Sequence, residues 1–121
     1  MNKHITLSLL TAFALTIAAA PAMADSDKGE KLFKRKCASC HNFEKHATGP
    51  NLKGVIGRKA GSTDFSDYKA LAGADFVWDE ENMNGWIEDP KKYIGKATPM
   101  SSKIKKPEDR ADIIEYVKSQ Q

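Results

Sequence analysis

The sequence predicts an all-α domain of three or more helices whose long loops wrap something that the chain itself does not supply. Three observations carry that reading. No alternating apolar run of strand length occurs anywhere in the 121 residues, and the β-branched residues are scattered. Glycine and proline crowd the stretches between the helical patterns, and loops of that length inside a compact domain need something to enclose. The apolar content is also thin. Once residues 1–24 are set aside, 33 of the remaining 97 residues are hydrophobic, below the roughly 45–50% of ordinary domains even when glycine is added. A domain of this size with so little core requires a staple, a metal or a large apolar cofactor.

Residues 1–24 read as a cleaved export signal. They hold 16 of the 49 hydrophobic residues, one lysine and no acid. Lys3 supplies a positive start, Ile5 to Ala20 an apolar stretch, and Ala22-Met23-Ala24 a small-residue cleavage site before Asp25. The stretch falls short of the roughly 20 apolar residues that a spanning helix needs. The expected product is a single exported domain, residues 25–121, with no membrane span after cleavage.

The mature chain then has a net charge of about +2, from 18 Lys and Arg against 16 acids, too small a balance for a nucleic-acid binder. The charges are segregated instead. Asp64 to Asp89 holds eight acids and one lysine, and Lys91 to Lys106 holds six lysines and no acid.

Asp27 is expected to cap the first helix, with Glu30 three residues on, and Leu32 and Phe33 carry it to Cys37. From Asn42 to Gly61, five glycines and prolines predict an extended loop. Asp79 caps a short helix with Met83, Trp86 and Ile87 on one apolar stripe, which Pro90 ends. Lys91 to Lys106 is expected to be a loop. Pro107, with Glu108 and Asp109 behind it, opens a last helix whose apolar face is Ile113, Ile114, Tyr116 and Val117.

The chain has two cysteines, in Cys37-Ala38-Ser39-Cys40-His41. The C-x-x-C-H pattern is that of covalent haem c attachment: two thiols can bond one porphyrin edge, and the next imidazole meets the iron. Three rival readings are weaker. A thioredoxin-like dithiol lacks its βαβ surround, a zinc site of Cys37, Cys40, His41 and His46 lacks the usual spacer, and a plain structural disulfide would have to close across two intervening residues.

The sixth iron ligand must come from His46, Met83, Met100 or a lysine. His46 lies too near His41 along the chain to reach the opposite face easily, and Met83 belongs to a helical apolar stripe. Met100 follows Pro99 in a loop with no periodic partner, which favours it as the ligand. Histidine and methionine would raise the potential and fill both axial positions, which favours electron transfer over oxygen or peroxide chemistry.

With CASCH, the runs GPNLKGVIGRKAG (Gly49 to Gly61), EDPKKYIGKATPM (Glu88 to Met100) and DRADIIEYVK near the end resemble the class I cytochrome c family of mitochondrial and alphaproteobacterial type. The resemblance covers nearly all of residues 25–121 and implies the class I cytochrome c fold. It also implies that the Pro50 carbonyl accepts from His41, that Arg58, Trp78 and Thr98 hold a haem propionate, and that Gly29 and Phe33 cross the last helix near Ile113 and Tyr116. Tyr68 is the candidate propionate tyrosine in the divergent Ser62 to Phe76 region. Departures are the segment from Tyr93 to Met100, longer by one residue, and Ser102, which stands where the family has an aromatic.

The function so implied is that of a monomeric, periplasmic electron carrier of a respiratory or photosynthetic chain, and not an enzyme. Lys36, Lys91, Lys92, Lys96, Lys105 and Lys106 would dock on acidic faces of membrane redox complexes: a cytochrome bc complex on one side, an oxidase or photosynthetic reaction centre on the other. The bland alternative for these lysines is a solvated basic face. The rival function is a small haem c peroxidase or gas sensor with a labile sixth ligand, and Met100 discriminates. A haem subunit working only inside a larger complex would need an apolar docking patch that the sequence does not offer.

Overall fold

The computed structural model describes residue 14 and residues 23–121, so the leader reading lies almost wholly outside the described residues. Among them are four helices: α1 (Ser26–Lys36), α2 (Glu80–Glu88), α3 (Pro90–Ile94) and α4 (Pro107–Ser119). The described residues form no strand beyond one isolated antiparallel bridge between Lys59 and Val77, and the all-α expectation is met.

α1 begins earlier than its pattern suggests. Its cap is Asp25, not Asp27: the Asp25 carboxylate accepts from the N–H groups of Asp27 and Lys28 at 2.9 and 3.2 Å. The choice is tertiary as well as local, because the Asp25 N–H donates to Asp112 Oδ1 on α4 at 2.8 Å. Asp27 falls in the first turn instead, where its charge suits the positive end of the helix.

Asp79 caps α2 as expected, accepting from the Asn82 N–H at 2.7 Å, and Met83, Trp86 and Ile87 are buried. The loop expected from Lys91 onward is corrected in part, because Pro90 both ends α2 and starts α3. Asp89 is extended (φ −163°, ψ 96°) and caps the new helix through the Lys92 N–H at 3.2 Å. A proline has no N–H to lose and a φ suited to a first helical position, so one extended residue suffices to restart the helix in a new direction. α3 stops at Gly95, which takes the left-handed conformation at φ +75°.

α1 packs across α4, where Phe33 stacks on Phe43 at 5.2 Å and meets Tyr116 at 5.4 Å. Arg110 of α4, 6% exposed, donates to Asn84 Oδ1 at 2.7 Å and to the carbonyls of Ile104 and Lys105 at 2.9 Å. That buried fork ties α4 to α2 and to the end of the 95–106 loop, and the Ile104 N–H adds a bond to the Ile87 carbonyl at 2.9 Å. The loop is thus pinned at its far end, and its middle, with Met100, becomes the wall of a cleft. The long 42–78 stretch folds back on itself through Trp78, whose N–H donates to Arg58 O and whose carbonyl accepts from Gly57, both at 2.8 Å.

Candidate functional site

The helices and loops enclose a largely apolar cleft of about 210 Å³. All eight residues named from the sequence line it: Cys37, Cys40, His41, Pro50, Arg58, Trp78, Thr98 and Met100. They arrive from the end of α1, from the loops on either side of residue 55, and from the loop before α4, so no single element builds the site.

The His41 ring is held by one hydrogen bond. Its Nδ1 lies 2.8 Å from the Pro50 carbonyl oxygen, so the ring donates there, and Nε2 is left as the nitrogen with a free lone pair. Gly49 allows this approach, since a β-carbon there would lie only 2.8 Å from Nδ1 and 2.9 Å from Nε2. Burial holds the imidazole below its ordinary pKa, against the opposing pull of the Pro50 bond. Cys37 and Cys40 form no disulfide among the described residues, and burial, then the neighbouring Cys40, pushes the Cys37 thiol up to about 11.

Arg58 donates through Nη1 to the Lys53 carbonyl at 3.2 Å and through Nη2 to the Asn51 carbonyl at 3.1 Å. Its Nε is buried without any partner, and burial lowers its pKa, opposed by Tyr68. An orphaned guanidinium N–H in a cleft calls for an acceptor such as a carboxylate. Tyr68 also lines the cleft, its hydroxyl paired with Thr63 Oγ1. Trp78 is both core and cleft wall, edge-on to Phe76 at 4.9 Å and to Trp86 at 5.6 Å. Thr98 Oγ1 accepts from the Met100 N–H at 3.3 Å, which leaves its hydroxyl proton to donate elsewhere.

The rival donors are placed differently. His46 lies outside the cleft: its Nε2 pairs with Asp64 Oδ1 at 2.7 Å and its Nδ1 accepts from the Asn51 N–H at 3.1 Å. Among the described residues no three His, Cys, Asp or Glu side chains gather as a metal site. Met83 does reach the cleft wall, from the buried stripe of α2. One contact escaped the sequence reading: the Trp86 Nε1–H donates to the Met100 sulfur at 3.1 Å. Trp86 reads from the sequence as core alone, and its partner lies fourteen residues away, beyond any helical period.

Of the six basic residues, Lys36 stands at the cleft mouth, where its carbonyl accepts from the Ser102 hydroxyl at 3.4 Å. Lys91 and Lys92 flank a shallow hollow with Lys103, itself paired to Asp89 at 3.4 Å. Lys96, Lys105 and Lys106 are exposed. No helix among the described residues is long and apolar enough to cross a membrane.

The residues present fit a haem: two thiols and an imidazole in one apolar cleft, an unsatisfied Arg58 N–H, and a glycine where a β-carbon would collide with the imidazole. Comparison with known proteins agrees. The family model described as Cytochrome c matches residues 26–121. Cytochrome c of Guizotia abyssinica is 41% identical over 108 residues, 86% of this chain and 96% of that protein. Cytochrome c of Chlamydomonas reinhardtii is 44% identical over 107 residues, 85% and 95% of the two chains. The solved structure of cytochrome cH from Methylobacterium extorquens superposes with a TM-score of 0.72 at 39% identity, covering 79% of this chain and 99% of that one. The chain therefore belongs to the cytochrome c family, whose members bind haem c covalently and carry electrons rather than act as enzymes.

Proposed function

We propose that the chain is exported, cut after Ala24, and works in the periplasm as a monomeric carrier of single electrons, residues 25–121. In this reading Cys37 and Cys40 would hold one haem c, and His41 and Met100 would ligate its iron. The observation that carries it is the His41 Nδ1 to Pro50 carbonyl bond of 2.8 Å, made in a cleft that Met100 also lines. That bond fixes the tautomer and orientation that a ligating imidazole requires.

The haem supplies the one-electron couple. The chain's own residues do the rest. His41 and Met100 would both hold the iron, and with neither side left open the site would favour electron transfer over binding of oxygen or peroxide. Arg58 Nε, the Trp78 indole and the Thr98 hydroxyl offer donors to a buried propionate. The apolar walls exclude water, so little solvent has to reorganise when the charge changes. Lys36, Lys91, Lys92, Lys96, Lys105 and Lys106 would present the cleft to acidic faces of a cytochrome bc complex and of an oxidase or photosynthetic reaction centre.

The test is the visible spectrum and potential of the holoprotein with Met100→Ala and Met83→Leu. The ferric protein should show the long-wavelength charge-transfer band of a thioether bound to iron. Met100→Ala should abolish that band, lower the potential and admit azide or carbon monoxide, and Met83→Leu should do none of this. The reverse pattern would overturn the ligand assignment.

A further inference from the structure

Between Gly95 and Ile104 the chain makes no backbone-to-backbone hydrogen bond among the described residues, so side chains decide how the loop that carries Met100 is held. Its far end is fixed on the α2 side, where the Ile104 N–H donates to Ile87 and Lys103 pairs with Asp89 at 3.4 Å. The bond from the Met100 N–H to Thr98 stays inside the loop. Among the described residues one hydrogen bond carries the loop across to α1: the Ser102 hydroxyl donates to the Lys36 carbonyl at 3.4 Å, and both residues line the cleft.

The acceptor is available for a helical reason. Lys36 is the last residue of α1, and its carbonyl lies beyond the end of the intrahelical ladder. The turn that follows leaves it unused, because the N–H groups of Cys37 and Ala38 both go to Phe33, and those of Cys40 and His41 both go to Cys37. The carbonyl stands at the negative end of the helix dipole, next to Cys37, and a hydroxyl proton suits it. Ser102 is half-buried where it meets this group, whereas its neighbour Ser101 is exposed.

We propose that Ser102 is a positioning residue for the sixth ligand: its hydroxyl latches the Met100 loop to the end of α1 and keeps the cleft closed on that side against small ligands from solvent. Ser102 lies two residues from Met100, and the loop behind it is fixed only from residue 103 onward. A loop that withdraws Met100 from the cleft therefore takes Ser102 with it, and the bond to Lys36 has to break. The inference rests on Met100 being a ligand.

The experiment is titration of the ferric holoprotein with imidazole, followed by loss of the thioether-to-iron band, in Ser102→Ala, Ser102→Thr and Ser101→Ala. Ser102→Ala removes the hydroxyl and little else. Both partners are hydrated once the loop opens, so only the modest net strength of the bond is lost, and imidazole should bind about threefold more tightly. Ser102→Thr keeps the hydroxyl and should bind imidazole as the unmodified protein does. Ser101→Ala makes the same change one residue away, on the exposed side, and should also leave the affinity as it was.

With haem content and far-ultraviolet circular dichroism unchanged, an unaltered imidazole affinity in Ser102→Ala would overturn the proposal. An equal gain in Ser101→Ala would overturn it too, since any change in the loop would then loosen it. Failure of the underlying reading looks different: the unmodified holoprotein would then lack the thioether band, and Met100→Ala would leave the spectrum as it was.

Discussion

Gly29 of α1 lies against the backbone carbonyl of Asp112 on α4, closer than any β-carbon could be accommodated, with the Tyr116 β-carbon 2.9 Å from where a side chain would begin. The two helices cross at that point, and the Phe33, Phe43 and Tyr116 rings close over the crossing. Gly29→Ala must therefore separate backbones and not merely move side chains. Overpacking of this kind costs about 1–3 kcal/mol, and the better helix propensity of alanine returns roughly 0.5–1 of it. The expected result is a fall in thermal midpoint of several degrees, since about 1 kcal/mol shifts a domain of this size by roughly 4–8 °C. The haem spectrum should change little, because Gly29, Asp112 and Tyr116 do not line the cleft. An unchanged midpoint would show that the helices are not held at this distance in solution.

Cleavage after Ala24 would turn the Asp25 N–H, 2.8 Å from Asp112 Oδ1, into a charged ammonium group beside that carboxylate. A positive charge at a helix start opposes the helix dipole, and Asp112 offsets it. At pH 6 the chain that begins with a free Asp25 amine should be at least as stable as its N-acetylated form, by up to about 1 kcal/mol. In Asp112→Asn the order should reverse, with the free amine the less stable of the two. Thermal unfolding of the four proteins measures this, and an acetylation effect of equal size in both backgrounds would exclude the ion pair.

The parts of the fold legible in the sequence are those governed by local rules. Asp79, Pro107 and the Met83-Trp86-Ile87 stripe behave as capping and periodicity dictate. Asp25 displaced Asp27 because Asp112, far along the chain, holds it, and no local pattern carries that information. Pro90 was legible as a stop and illegible as a start, since both depend on the same missing N–H and only the extended Asp89 separates them. At the site, CASCH and the residues matched to the family all reach one cleft. The Trp86 to Met100 contact and the unpartnered Arg58 Nε depend on the paths of two loops, the first pinned at residues 104 and 105 on Arg110 and the second by the backbone bonds of Gly57 and Arg58 to Trp78.

The basic residues divide into two kinds in a way that salt dependence can expose. Lys91 and Lys92 are exposed and, among the described residues, have no carboxylate partner, whereas Lys118 on α4 is held by Glu80 at 2.6 Å and Glu115 at 3.4 Å. Those two acids also raise the Lys118 pKa, chiefly through the Glu80 bond. A lysine already neutralised by two acids adds little to the long-range field, and an unpaired one adds its whole charge until salt screens it, within about 10 Å at 0.1 M. Steering acts on the association rate more than on the strength of the final complex. Electron transfer to an acidic membrane partner should therefore slow steeply as salt rises. Lys91→Glu with Lys92→Glu should cut the low-salt rate by about tenfold and flatten the salt dependence, within the range that steering commands. Lys118→Gln should leave both nearly unchanged. Equal losses in the two proteins would mean that these lysines form only a solvated face, and docking would then have to be sought among the uncharged residues at the cleft mouth, Ser101 and Ser102 first.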